Sequence, residues 1–290
     1  MNYEPNSAAG ADRGPREDPV GGYTSFPAME QGPKQRVRSE SFADHFSQAR
    51  QFLISQTVNE QQHIVNGFVF ELSKVENLEI RTRMVANLRN VDSAFAAAIA
   101  DGLGLVELPP PTTPARAPIA DLPASAALSI VRNGPATFAG RKVGILVTDG
   151  TDADLLVALQ VAIETEGAIF ELIAPKIGGV TLTDGSLVPA DQNIDGGPSV
   201  LYDAVALLTS ADGATQLAMD AAAKDFVTDA HAHCKIIGHV ESAGELLDAA
   251  GVVDAIDEGY VALDANDLAP FVTACRQIRF WDREPNVDAI

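Results

Sequence analysis

The spacing of apolar and polar positions changes several times along the chain, and each change marks a boundary. Through residues 1–40 it has no period: EDP, GGY, FPA and QGPK punctuate a run rich in Gly, Pro and charge. This predicts an extended arm that cannot build a core alone; it is either disordered or laid on another surface through Tyr3, Tyr23 and Phe26. From Ser41 the spacing becomes helical. Ser41, followed by Asp44, predicts an N-cap ahead of Phe42, Phe46, Ala49, Phe52 and Leu53, which mostly share one face. Thr57 and Glu60 form a capping box that opens a helix over Glu60–Val75, with Ile64, Phe68 and Leu72 in one stripe. Two further helices follow, Glu79–Leu88 and Asp92–Ala100, the second closed by the Gly102–Gly104 pair. Residues 41–107 therefore predict an all-α helical segment, and the proline-rich residues 108–129 a semi-rigid linker.

Across residues 130–290 short apolar runs alternate with helical patterns. The runs Val143–Thr148, Ala168–Ala174, Ala204–Thr209, Lys235–Val240 and Gly251–Ile256 predict strands. Between and after them, Asp152–Glu164, Gly213–His231, Ser242–Ala250 and Asp264–Arg279 predict helices, the first with Leu155, Leu156, Leu159 and Ile163 inward. Residues 178–191 predict a β-hairpin turning at Asp184-Gly185. Such alternation with short links makes this an α/β domain, a flavodoxin-like open parallel sheet covered on both faces.

Charge separates the two halves. Of a net −20, residues 1–150 hold 16 acidic against 14 basic side chains, and residues 151–290 hold 24 against 6. So acidic a domain repels phosphate backbones, which argues against nucleic acid as a partner; a solvated acidic surface explains the charge without a recognition patch. No run approaches the roughly 18 apolar residues of a membrane span, and the first residues show no basic-then-apolar leader. Two cysteines, Cys234 and Cys275, make neither a disulfide framework nor a zinc spacing, so a reduced, cytoplasmic location is expected.

Chemistry in an open parallel sheet is sought in the loops after Thr148, Thr209 and Val240. The first, TDGTDAD over 148–154, is acidic and unsuited to phosphate; no G-x-G-x-x-G or G-x-x-x-x-G-K-[ST] occurs. In the third, a strand runs into Glu241-Ser242-Ala243-Gly244 and then a helix, the order of a nucleophile elbow. Cys234 and Cys275 lie elsewhere and read as structural. His231 and His233 are two apart and diverge on a helix, so they form no metal pair, and no metal site is expected. His239 reads as a core imidazole more readily than as a pocket acid or base.

Lys235-Ile-Ile-Gly-His-Val-Glu-Ser-Ala-Gly-Glu-Leu-Leu247, with Gly150-Thr-Asp-Ala-Asp-Leu155, resembles the DJ-1/PfpI branch of the class I glutamine-amidotransferase-like superfamily. The resemblance puts Glu241 where that family carries its nucleophilic cysteine, and Asp152 where it carries a supporting acid. A carboxylate beside a carboxylate cannot do thiolate chemistry; one becomes protonated or both are solvated. In the N-terminal half, Met1-Asn-Tyr-Glu-Pro-Asn-Ser7, Arg38-Ser-Glu-Ser-Phe-Ala-Asp-His-Phe-Ser-Gln-Ala-Arg50 and Phe70-Glu-Leu-Ser-Lys-Val75 are similar to the segments after the haem barrel of large-subunit catalases, which append a DJ-1-like domain. The likeness covers essentially the whole chain in order.

It implies a hydrogen-peroxide-disproportionating, oxidative-stress enzyme whose full-length parent holds haem and forms a homotetramer with interlaced arms. The barrel and neighbouring subunits would be the partners. In that family a tyrosine in an R-x-x-x-Y pattern holds the iron. Here Pro19, Pro198 and Ile256 stand four before Tyr23, Tyr202 and Tyr260, so this chain is expected to carry no cofactor and no catalytic set. It reads as the C-terminal portion, whether an engineered piece, a proteolytic piece or a truncated reading frame, serving assembly and stability. Two competing expectations are a chaperone-like or ligand-binding module, and a DJ-1-like hydrolase or glyoxalase using Glu241, Asp152 and His239.

Overall fold

A computed structural model describes residues 25–289, with the backbone of Tyr3–Glu4 and Arg16–Glu17 in addition. Residues 1–45 and 46–290 form separate compact units. In the first, Tyr3–Glu4 pairs antiparallel with Arg16–Glu17. Half of the expected arm, with the side chains of Tyr3 and Tyr23, lies outside the described residues, while Phe26 is exposed. The capping residue is Ser39 rather than Ser41, and it caps only a 3-10 turn, Glu40–Ala43. The helix begins later because Asp44 adopts an extended backbone that breaks the run.

In the second unit, helices α1 (Ser47–Ser55), α2 (Val58–Ser73), α3 (Leu78–Leu88) and α4 (Ser93–Gly102) surround Leu53, Val65, Leu72, Val85, Phe95 and Ile99. The capping box is present: the Glu60 N–H donates to Thr57 Oγ1 at 3.3 Å and the Thr57 N–H to Glu60 Oε2 at 2.8 Å. Asn77 and Asp92 cap α3 and α4. The proline-rich stretch is strapped down along these helices. Arg89 donates to the Pro109 carbonyl (2.8 Å), the Thr112 N–H to Ala86 (3.2 Å), the Ile119 N–H to Ser47 Oγ (2.8 Å) and the Ser125 N–H to Ser55 Oγ (2.9 Å). Prolines cannot donate, so the residues between them make the donor contacts.

The α/β domain holds strands β1 (Lys142–Val147), β2 (Ile169–Ala174), β3 (Gln192–Asn193), β4 (Ala204–Leu208), β5 (Ile237–His239) and β6 (Tyr260–Ala262). Their order is β6-β5-β4-β1-β2-β3, all parallel. Without the two-residue edge strand β3 this is the flavodoxin order, and β1 and β4 have both faces covered. Helices α5 (Ala153–Thr165), α6 (Ala211–Leu217), α7 (Ala221–Ala232), α8 (Gly244–Ala249) and α9 (Ala269–Cys275) pack in two layers, giving one apolar core per face. Gly144 lets the Tyr202 ring lie on β1, since a Cβ there would sit 2.5 Å from the ring.

Three expectations are corrected. The helix expected over Gly213–His231 breaks around Ala218–Asp220, where Asp220 caps α7. Gly251–Ile256 is not a strand: Gly251 ends α8 with φ +74°, and Val253–Ala255 is a 3-10 turn, so the sixth strand is Tyr260–Ala262. The last helix is shorter than Asp264–Arg279, because the Asp264 carboxylate accepts the Asn266 N–H in a local turn and Pro270 starts the helix. The hairpin forms as expected, Val180–Thr181 against Leu187–Val188.

Candidate functional site

Strand order reverses between β1 and β4, and a crevice opens at their carboxyl ends. Its base is a hydroxyl network. The Thr148 N–H donates to Thr151 Oγ1 (3.0 Å), Thr151 Oγ1 donates to the Leu208 carbonyl, and the Ser210 N–H donates to Thr148 Oγ1 (2.9 Å). Gly213 makes room for this, as a Cβ would sit 2.1 Å from Thr148 Oγ1. The resulting cleft of about 460 Å³ is lined by Gly150, Asp152, Leu155, Thr209, Glu241 and Ser242, among others.

The structure brings Asp152 and Glu241 to this cleft together, as the strand-end argument expects. Both are exposed. Asp152 is the N-cap of α5, accepting the Leu155 N–H at 2.9 Å, and Glu241 opens the 3-10 turn Glu241–Ala243 ahead of α8. The strain of a nucleophile elbow is missing. Among the described residues the non-glycine positions with positive φ are Cys234 and Ile278, not Glu241. Ser242 Oγ donates to the Thr209 carbonyl at 2.6 Å, so it is already engaged.

His239 stands apart. It does not line the cleft; its ring meets Tyr260 edge-on at 6.3 Å. Burial lowers its pKa, partly offset by the Val240 carbonyl 3.4 Å from Nδ1. Cys234 and Cys275 are buried away from the cleft, and burial pushes both thiols up, for Cys234 against the pull of Arg283. Thiolate chemistry at the cleft has no thiol to work with among the described residues.

Nor do the described tyrosines suit a haem iron. Tyr202 donates its hydroxyl to Glu171 at 2.9 Å, and the Tyr260 hydroxyl shares a 2.8 Å hydrogen bond with His231 Nδ1. Burial raises the pKa of both phenols, for Tyr202 with Glu171 adding to it, which disfavours the phenolate a ferric ion takes. The described tyrosines do not fit that group.

Sequence reasoning missed a buried polar cluster behind β5 and β6. Arg283, 2% exposed, grips Asp257 with two bonds (2.7 and 2.8 Å), donates to the Lys235 carbonyl at 2.8 Å and lies 4.9 Å over the Tyr260 ring. Lys235, 1% exposed, donates to the Ser199 and Tyr202 carbonyls; burial lowers its pKa to about 8. These partners are far apart in sequence, and the WDREPN run holding Arg283 shows no period.

Comparison with known proteins gives the frame. Residues 39–103 match the family model described as "Catalase-related immune-responsive", and residues 139–285 the "C-terminal domain found in long catalases". The chain is 54% identical to "Catalase C" of Rhizobium meliloti (strain 1021) over 99% of its own length and 40% of the relative's. It is 36% identical to "Catalase HPII" of Pseudomonas putida over 100% and 40%, and 32% identical to "Catalase-2" of Bacillus subtilis (strain 168) over 97% and 40%. It thus spans about two fifths of the length of the curated relatives it matches. With its parallel sheet, four-helix segment and matched regions in this order, the chain belongs to the long-catalase family and corresponds to the C-terminal portion of a large-subunit catalase.

Proposed function

We propose that this chain is the assembly and stability portion of a large-subunit haem catalase, and that hydrogen peroxide is converted to water and oxygen elsewhere in the full-length parent. In that parent the arm and the α1–α4 segment brace the haem barrel, and the α/β domain secures a homotetramer in the cytoplasm. The observation that carries the reading is the cleft itself. Where the DJ-1/PfpI resemblance calls for a thiol on a strained turn, an exposed Glu241 faces the same cleft as an exposed Asp152, and both thiols are buried elsewhere. Purified chain mixed with hemin should give no specific Soret band and no oxygen from hydrogen peroxide; a sharp Soret band with rapid oxygen release would overturn the proposal.

The cleft of about 460 Å³ supports a second reading, a ligand-binding or chaperone-like role for the α/β domain. Suppression of a client's aggregation, lost on filling the cleft with Gly150→Trp, would establish it. A hydrolase or glyoxalase using Glu241 would show turnover of esters or dicarbonyls that Glu241→Ala abolishes; absence of turnover sinks it.

A further inference from the structure

Beyond the start of the α/β domain, where residues 130–132 bond Glu60 and Ser55, the side chains of α2 reach the far end of that domain through Trp281 and Glu284. Asn59 on α2 donates to the Trp281 carbonyl (3.0 Å) and to Glu284 Oε2 (2.7 Å), and His63 Nε2 meets Glu284 Oε1. The Trp281 ring stands edge-on to His63, with centroids 5.7 Å apart. The apolar cores of the two layers are separate. A short C-terminal segment is therefore a polar joint between them, far in sequence from the chain connection.

Arg283 fixes that segment to the α/β domain, and His231 lies behind it. His231 is 1% exposed; Nδ1 bonds the Tyr260 hydroxyl, the backbone carbonyl faces Arg283 Nη1 at 3.4 Å, and Nε2 is buried with no hydrogen-bond partner. A neutral ring tolerates this. A protonated ring would put a second N–H where no acceptor stands, and a second cation beside a guanidinium. The charged and titratable groups that bear on its ring are Arg283 of the C-terminal segment and Asp257 and Tyr260 at β6, with His239 on β5 meeting the Tyr260 ring in turn. The carboxylate that could answer the charge is Asp257, and both its oxygens are already held by Arg283, one of them by the Gly259 N–H as well.

We propose that this corner is an acid-operated latch: protonation of His231 displaces Arg283, frees Trp281–Glu284 from α2 and lets the helical layer part from the α/β domain. Burial first, then Arg283, lowers the His231 pKa, with Asp257 opposing. A histidine held low favours the fold when neutral, so the joint is fully closed above the ordinary value of 6.5 and weakens as pH falls below it. The latch lies within this chain and does not depend on the catalase reading.

Trp281 is the chain's one tryptophan, so its emission reports the joint directly. In the full chain, lowering the pH from about 7 to about 5 should red-shift that emission and speed hydrogen exchange in residues 281–287, corrected for intrinsic rate, by about tenfold or more, with far-UV circular dichroism unchanged. His231→Gln should abolish both changes, and His231→Leu, with no titrating group, should do the same where Gln disturbs the corner. A wild-type joint that stays closed at about pH 5, or a transition that persists in both variants, would overturn the latch.

Discussion

Glu60→Gln tests how one carboxylate fastens two distant parts of the helical layer. Glu60 accepts the Thr57 N–H (2.8 Å), the Ser129 hydroxyl (2.7 Å), and the N–H groups of Ile130 (2.9 Å) and Val131 (3.2 Å). It thereby closes the box at the start of α2 and caps the short helix Ile130–Asn133 at the end of the proline-rich strap. Burial alone would raise its pKa, but the Thr57 N–H, the Ser129 hydroxyl and the Val131 N–H outweigh burial and hold it at about 2, against an ordinary 4.5. By linkage that gap corresponds to about 3 kcal/mol, which partial exposure reduces to on the order of 2 kcal/mol. A depressed carboxylate stabilises the fold above its unfolded value, and the contribution is lost as pH falls through the folded value; the window is therefore from 4.5 down to about 2. Glutamine keeps one acceptor but turns an NH₂ toward donors and removes the charge. Urea unfolding followed by far-UV circular dichroism should show the variant less stable by on the order of 2 kcal/mol at neutral pH, with the difference closing toward about pH 2.5. Equal stability at neutral pH, or the same slope with pH in both proteins, would refute this account of the strap.

Other substitutions probe the α/β domain. Arg283→Met leaves Asp257 partly buried without its partner and should lower stability by about 3 kcal/mol in chemical denaturation, with the loss shrinking once Asp257→Asn is added. Gly213→Ala drives a Cβ to 2.1 Å from Thr148 Oγ1 and should reduce the melting temperature through a loss of about 2 kcal/mol, whereas Gly244→Ala, with open space around it, should not.

What the sequence made legible was local or set by strand ends. The Thr57–Glu60 box lies within four residues, and β1, β2 and β4 are short, mostly apolar runs, so pattern alone finds them. Asp152 and Glu241 share a cleft because each follows the end of a parallel strand, which topology dictates once the sheet is inferred. Proximity in sequence groups His239 with them, but side chains alternate along a strand, and its ring goes to Tyr260 instead. The three-residue β6 is too short to stand out beside the more apolar Gly251–Ile256 run, which Gly251 turns aside. The C-terminal joint pairs Asn59 with residues more than two hundred positions away, a contact with no local signature.

The central claim, that this portion supports a catalase without turning over peroxide, is tested most directly in a full-length large-subunit catalase of the family. The region corresponding to residues 139–285 is removed, and oxygen release per haem, oligomeric state and the half-life at raised temperature are compared with the intact enzyme. The account predicts that turnover per haem at ordinary temperature is retained, while the tetramer dissociates more readily and heat inactivation is faster. A truncated enzyme that loses turnover per haem while keeping its assembly and heat resistance would contradict it.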